Sequence, residues 1–278
     1  MIFSKIAAFA AGLGWALSVA SAAPPTVIQF KPYLDGQLAF ETVIGGRTET
    51  FLFDTGGGAT VISPAFAARI GCTPWGQVTG FRMRGQRLDL QRCEDVHIPV
   101  ANLTLVAPTA AEFDILQGAP KDAPPLAGSV ALDVFAGRTV TLDVGHQRLI
   151  VETPASLATR VRHAREVAAR FERDLDGIAL EPLVALETPK GRVWLTIDCG
   201  SDGDVIVNRP LAAALGLDPA HKGRQALTMR FAGGPQASAD ARVDDLIIDG
   251  NIGVRVLRHW IITIDTARQR IWLVPSGM

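Results

Sequence analysis

Short runs of apolar or alternating residues, bounded by glycine, proline or charged turns, dominate the chain and predict β-strands. In the first half these runs lie at 38–44, 50–53, 78–84, 96–98, 102–106, 139–143 and 148–151. In the second half they lie at 178–186, 192–197, 226–231, 243–248, 260–264 and 270–274. The pattern therefore predicts a mostly β protein.

One segment, from Pro154 to Asp174, has helical spacing instead. Its apolar residues recur with the period of an α-helix, and arginines surround them. We therefore expect one amphipathic linker helix over 154–174, with the domain boundary in this segment. A run of arginines on such a helix is typical of a solvated face rather than of a site for an anionic partner.

The chain contains an internal duplication. The residues around Asp143 match those around Asp265, 122 positions later, and the strand that ends at Asp54 matches the strand that ends at Asp198, 144 positions later. The middle of the second copy is shorter, which explains the unequal offsets. The sequence thus predicts two copies of one unit on either side of the linker.

The first 22 residues have the pattern of an export signal. Lys5 precedes an apolar run over 6–20, and the small residues of 20–22 fit a cleavage site. The run is shorter than the roughly 20 residues that a membrane span needs. We expect a cleaved signal peptide over 1–22 and a periplasmic or secreted protein. The alternative is an uncleaved segment that tethers the chain to the membrane; no other stretch is long and apolar enough to span it.

Charge and histidine placement exclude several classes of function. Lys and Arg number 27 against 28 Asp and Glu, so the net charge of −1 offers no basic field for nucleic acid. The five histidines are scattered and form no zinc-binding motif. We expect neither a metal nor a cofactor, and a monomer.

The three cysteines fit an oxidising compartment. Cys72 and Cys93 lie 21 positions apart in one segment, and a disulfide between them is one prediction. Two separately buried thiols are the alternative. Because the number is odd, at least one cysteine of a monomer stays unpaired, and Cys199 is the expected one.

Two aspartates at equivalent positions of the repeat are the candidate catalytic residues. Asp54 and Asp198 each end an apolar strand and precede a glycine two positions on, which lets the chain turn sharply and expose the carboxylate. If the copies pack about a pseudo-twofold axis, the two carboxylates face each other and share one proton. One can then act as general base on a water while the other donates a hydrogen bond to a carbonyl. Such a pair is suited to attack of water on an amide.

With these motifs, Phe53-Asp54-Thr55-Gly56 and Ile197-Asp198-Cys199-Gly200-Ser201, the chain resembles the bacterial retropepsin-like family of pepsin/retropepsin-type aspartic proteases, with two lobes fused in one chain. The resemblance covers residues 26 to 275 and implies the acid-protease fold: mostly β, with two pseudo-twofold-related, β-barrel-like lobes and a linker helix. The implied divisions are a signal peptide at 1–22, an N-terminal lobe at 23–153, a linker helix at 154–174 and a C-terminal lobe at 175–278.

The resemblance also assigns roles to residues. Asp54 and Asp198 would be catalytic, supported by Thr55, Gly56, Cys199, Gly200 and Ser201. A hairpin flap over about 79–89 would bind substrate through Gly80, Phe81, Met83 and Gly85. The only tyrosine, Tyr33, lies ahead of the first motif, so the flap tyrosine of the pepsin branch is absent.

The expected function is therefore an exported aspartic endopeptidase, a hydrolase that cleaves a peptide or protein substrate. Two departures from the family pattern fit an active enzyme with diverged lobes and an inactive copy equally well: Cys199 stands where the family has Thr or Ser, and Ala131 stands where the second copy has Gly253. The main alternative is a catalytically inactive, retropepsin-fold module that binds a peptide or protein. Others are aspartates that only hold the lobes together, and a homodimer that uses the first motif alone.

Overall fold

The structure is a computed structural model that describes residues 23–117 and 119–277. The predicted signal peptide at 1–22 lies outside the described residues. Strands make up most of the regular structure and form three sheets, which confirms the mostly β prediction.

The strands of the first half are β1 Thr26–Gln29, β2 Lys31–Tyr33, β3 Gln37–Ile44, β4 Arg47–Phe53, β5 Val61–Ile62, β6 Trp75–Phe81, β7 Arg87–Val100, β8 Leu103–Glu112, β9 Gly128–Val130, β10 Thr139–Asp143 and β11 Arg148–Val151. Those of the second half are β12 Arg165–Val167, β13 Ala169–Glu172, β14 Glu181–Thr188, β15 Gly191–Ile197, β16 Val205–Asn208, β17 Gln225–Arg230, β18 Gln236–Asp244, β19 Gly250–Ile252, β20 Trp260–Asp265 and β21 Arg270–Pro275. The helices are α1 Pro64–Arg69, α2 Pro154–Arg160, α3 Arg209–Ala212 and α4 Val254–Leu257, with 3-10 turns at Leu34–Gly36, Leu132–Phe135, Leu175–Gly177 and Ala213–Leu215.

The prediction of a linker helix over 154–174 is confirmed for its first two turns only, and it is wrong for the rest of the segment. Helix α2 begins after Thr153, whose side chain caps it by accepting a hydrogen bond from Ser156 N, and it ends at Arg160. The rest of the segment forms β12, which pairs with β21, and β13, which pairs with β14. Pairing at the edges of two sheets therefore overrides a helical pattern too short to be stable by itself.

Two of the sheets repeat one topology. The eight-stranded sheet has the order β2-β3-β4-β9-β5-β8-β7-β6, and the seven-stranded sheet has the order β13-β14-β15-β19-β16-β18-β17. In each, a short strand, β9 or β19, lies parallel to one neighbour and antiparallel to the other. The extra strand of the first sheet lies where the first copy of the sequence is longer. Across the described residues neither sheet closes into a barrel. The prediction of barrel-like lobes is therefore wrong.

The third sheet joins the two halves. Its six strands, in the order β1-β11-β10-β20-β21-β12, come from both copies of the repeat. Strands β10 and β20 pair antiparallel, with Thr141 opposite Thr263. These two threonines are equivalent positions of the repeat, 122 residues apart. Equivalent residues can face each other in this way only across a local twofold axis.

Aromatic packing fixes the end of β4. Alternate residues of this strand are buried, as expected for a strand with one face on a core. Phe51 stacks on Phe40 at 5.7 Å between ring centroids, and Phe53 stacks on Phe30 at 5.2 Å. Because Phe53 is fully buried, the residue that follows it, Asp54, has a fixed position.

Two observations bear on the expected export. Cys72 and Cys93 form a disulfide with their Cα atoms 6.0 Å apart, while Cys199 is a free, buried thiol. Disulfides persist mainly in oxidising compartments, so this bond is consistent with export. Within 23–117 and 119–277, no helix is long and apolar enough to cross a membrane.

Candidate functional site

The two aspartates occupy equivalent places in the two sheets. Asp54 follows β4 and donates its backbone N–H to Val130 O of β9 at 2.9 Å; Asp198 follows β15 and donates to Ile252 O of β19 at 3.0 Å. Each bond extends a parallel strand pair by one residue. Both carboxyl groups therefore leave the same end of equivalent strands.

The structure brings the two carboxyl groups together. The carboxyls of Asp54 and Asp198 lie close enough for the negative charge of Asp54 to raise the pKa of Asp198. The glycines of the two motifs make this approach possible: a Cβ on Gly56 would lie 2.6 Å from Asp198 Oδ1, and a Cβ on Gly200 would overlap the Asp54 carboxyl. Any other residue at these two positions would force the aspartates apart.

Thr55 connects the two aspartate loops. Its hydroxyl donates to Ile197 O at 2.6 Å and accepts from Cys199 N at 3.0 Å, and both partners belong to the second half. All of these groups are buried. The position of Thr55 agrees with the loop-locking role that the resemblance gave it.

Cys199 completes the connection from the other side. Its sulfur accepts from Thr55 N at 3.4 Å and donates to Phe53 O at 3.3 Å. Burial, and after it the negative charge of Asp54, raises the pKa of this thiol, so the S–H stays available as a donor. The thiol thus occupies the place of the missing hydroxyl, although its hydrogen bonds are weaker.

Protein donors occupy the acceptor sites of Asp198. Its Oδ1 accepts from Gly200 N at 3.0 Å and from Ser201 N at 2.9 Å, and its Oδ2 accepts from Asn251 Nδ2. A carboxylate offers about four lone-pair sites, so these three donors leave about one. Ser201 acts through its backbone N–H. Ser129, the counterpart of Asn251 in the first copy, forms no such bond with Asp54 among the described residues.

Burial raises the pKa of both aspartates. It is the largest cause that raises the pKa of Asp54, and together with the negative charge of Asp54 it raises the pKa of Asp198 to about 7. Because the groups are in contact, the titration belongs to the pair. The pair therefore carries at least one shared proton over most of the acidic range.

Sequence reasoning missed three residues at this site: Asn251, Gln37 and Glu181. Gln37 Nε2 donates to Gly200 O at 2.8 Å, across the boundary between the halves. The Glu181 carboxyl packs on Gly58, next to the Asp54 loop. Asn251 lies in a glycine-containing segment that the internal repeat identifies. The repeat does not show, however, that the Asn251 side chain reaches Asp198.

The hairpin between β6 and β7 spans the region predicted as a flap. Met83 O at its tip accepts from Ile247 N at 2.9 Å, and Arg84 forms an ion pair with Asp244 at 2.7 Å. Both partners belong to the second half. The hairpin therefore reaches across from one half of the molecule to the other.

The predicted flap residues differ in their surroundings. Gly80 faces Leu175, since a Cβ there would lie 3.1 Å from Leu175 Cδ2, and Gly85 turns the chain at a φ of 83° beside Ile247. Met83 is half-buried, whereas the Phe81 side chain is 59% exposed. The structure thus places these residues between the halves or at the rim, none of them against the Asp54 and Asp198 carboxyls.

An open cavity of about 630 Å³ lies elsewhere, beside the disulfide of the first half. Its buried charge, Glu49, is paired with Arg69 at 2.7 Å. No group of three His, Cys, Asp or Glu side chains in the described part of the chain could hold a metal ion. We therefore place the candidate site at the paired aspartates.

Comparison with known proteins identifies the fold but no family. No family model matches the chain, and no curated protein matches it. Basic 7S globulin from soybean has a similar structure, with a TM-score of 0.56 and 11% identity over 91% of this chain and 95% of that one. Conglutin gamma, a basic 7S globulin from lupine seeds, gives 0.55 and 9% over the same shares. At such identities the likeness shows the fold alone.

These findings correct two predictions from the sequence. The assignment to the bacterial retropepsin-like family is wrong, because no family model matches and the two similar structures are seed globulins. The prediction of an aspartic endopeptidase, and with it the description as a hydrolase or protease, is wrong on the same ground. Nor do the comparisons support a signal peptide or a periplasmic location.

Proposed function

We propose that the chain is an exported, non-enzymatic module that binds a peptide or protein segment between two pseudo-twofold-related lobes of the acid-protease type. Residues 23–153 and 175–278 form the lobes. The paired aspartates connect the two lobes at the base of the cleft and carry out no hydrolysis. The module acts as a monomer.

The amide of Asn251 on Asp198 is the observation that carries this proposal. A carboxylate that activates a water needs a free acceptor site for it. Gly200 N, Ser201 N and Asn251 Nδ2 occupy three of the four sites of Asp198, and the Asp54 carboxyl lies beside it. Asp198 is therefore better suited to holding the loops together than to binding and activating a water.

Unpaired strand edges support the binding of an extended peptide. Strand β6 ends the eight-stranded sheet and β17 ends the seven-stranded sheet, so each has a strand partner on one side only; Phe231, just after β17, bridges to Leu186 of β14. An extended peptide can add to such an edge through main-chain hydrogen bonds. Phe81 and Ile247, each 59% exposed, lie at the hairpin and favour a peptide with apolar side chains.

A peptide library tests the proposal. The protein is incubated with mixed synthetic peptides at acidic and at neutral pH, and mass spectrometry measures both retained and cleaved species. We expect retention of intact peptides rich in apolar residues. The double variant Phe81→Ser/Ile247→Ser should retain less, while Val43→Ser, which changes an equally exposed residue of β3, should not.

Two outcomes contradict the proposal. Absence of retained peptide would reject the binding function. Cleavage that disappears in an Asp54→Asn/Asp198→Asn variant would show that the pair hydrolyses peptides after all.

A further inference from the structure

Gln37 and Glu181 occupy equivalent positions in the two halves. Leu38 pairs with Phe53 between β3 and β4, so one step further along Gln37 lies opposite Asp54. Leu183 pairs with Thr196 between β14 and β15, so two steps further along Glu181 lies opposite Asp198. The alignment of the two aspartate motifs gives the same equivalence, because Glu181 lies 144 positions after Gln37, as Asp198 does after Asp54.

Each of the two residues reaches the aspartate loop of the other half. Gln37 Nε2 donates to Gly200 O, in the loop of Asp198. The carboxyl of Glu181 packs on Gly58, in the loop of Asp54, where a Cβ would lie only 2.7 Å from Glu181 Oε1. Beside it, Leu180 N donates to Gly58 O at 2.9 Å.

We propose that Glu181 is a positioning residue, the counterpart of Gln37, whose protonated carboxyl braces loop 56–58 and so holds Asp54 against Asp198. Ionisation of Glu181 loosens this brace. The proposal deepens the binding function and rests on it, because loop 56–58 forms part of the base of the proposed cleft.

The charges around Glu181 favour the protonated form. Burial is the first cause that raises its pKa to about 8, followed by the negative charges of Glu172, Asp174, Asp54 and Asp198. Glu172 of β13 pairs directly with Glu181 in the strand register. No lysine or arginine of the described residues forms an ion pair with Glu181 to offset these charges. At neutral pH, Glu181 is therefore a neutral side chain, as Gln37 always is.

Amide hydrogen exchange on the whole protein, without any peptide, tests the proposal. The readout is the protection factor of the Leu180 amide, which reports its bond to Gly58. In the wild type we expect this factor to fall about tenfold from pH 7 to pH 9, as Glu181 ionises. Glu181→Gln, which is neutral at every pH, should keep the protection at both. Glu181→Ala should lack it at both.

The controls separate positioning from general stability. Glu94→Gln removes a carboxyl of β7 that accepts a hydrogen bond from Thr109, and it should leave the wild-type pH profile unchanged. The idea is overturned if Glu181→Gln shows the wild-type fall, or if Glu181→Ala keeps full protection. Because no peptide is involved, failure of this test is distinct from failure of the binding function.

Discussion

The hydroxyl oxygens of Thr141 and Thr263 lie 3.0 Å apart in the centre of the six-stranded sheet. They are equivalent residues of the duplicated sequence, paired across β10 and β20. The contact therefore marks the local twofold axis that relates the halves. The same axis brings Asp54 and Asp198 together at the other equivalent position.

The surroundings of the two threonines break this symmetry. Thr141 also donates to Glu152 at 2.7 Å, and the Glu152 side chain is completely buried. Thr141→Val should therefore cost about 1–3 kcal/mol, since it removes one donor to Glu152 and leaves the buried Thr263 hydroxyl without its partner, and Thr263→Val should cost about 1 kcal/mol. Urea denaturation of both variants measures the difference. Equal costs would show that the bond to Glu152 contributes nothing.

Thr55→Val should destabilise the protein strongly. The substitution removes the hydroxyl that serves both Cys199 N and Ile197 O, and so leaves two buried backbone groups without partners. The expected cost is about 2–5 kcal/mol. Thr55→Ser keeps the hydroxyl and should restore most of the free energy of unfolding. If Thr55→Ser lost as much free energy of unfolding as Thr55→Val, packing of the threonine methyl group, and not its hydrogen bonds, would explain the loss.

The paired aspartates make stability depend on pH. The folded state raises the pKa of Asp198 from 3.8 to about 7, so it binds this proton more tightly than the unfolded chain does. Stability is therefore fully present below about pH 4 and decreases as pH rises toward 7, by up to about 1.4 kcal/mol per pH unit for one group.

Asp198→Asn removes this group and should lessen the decrease. Thermal unfolding between about pH 4 and pH 7 measures the stability of both proteins. The stability of the variant minus that of the wild type should grow as the pH rises. Asp122→Asn, which changes an exposed turn residue, is the matched control. A constant difference across the range would contradict the raised pKa.

The disulfide should stabilise the first half measurably. It closes a loop between residues 21 positions apart, which corresponds to about 3 kcal/mol in the chain-entropy model. A Cys72→Ser/Cys93→Ser variant should unfold at a lower temperature and should not respond to a reductant, whereas the wild type should. Cys199→Ser keeps the bridge and should still respond.

The ion pair between Arg84 and Asp244 should hold the hairpin tip in place but contribute little to the free energy of unfolding. Both side chains are substantially exposed, so Arg84→Ala should change the free energy of unfolding by less than about 1 kcal/mol. The exchange of the Ile247 amide, which donates to Met83 O, should nevertheless become faster as the hairpin tip loosens. Arg192→Ala removes a comparably exposed pair with Glu187 and should leave this amide unchanged.

Local patterns predicted much of the fold. The strand runs at 139–143 and 148–151 agree with β10 and β11, and the shorter middle of the second copy corresponds to its missing strand. Alternation and turn residues are local properties, so they can be read from the chain. The segment 154–174 shows the limit, because its end belongs to two sheet edges that lie far away in sequence.

The sequence by itself determined the duplication, the strands and the two aspartates with their glycines. Only the tertiary structure decided that Asn251 donates to Asp198, that the Cys199 thiol bonds both Thr55 N and Phe53 O, and that Glu181 lies against the other loop. The physical reason is that hydrogen bonding and burial depend on groups brought together from distant strands. The motif alone therefore predicts that the aspartates pair, whereas the contacts around them decide what the pair can do.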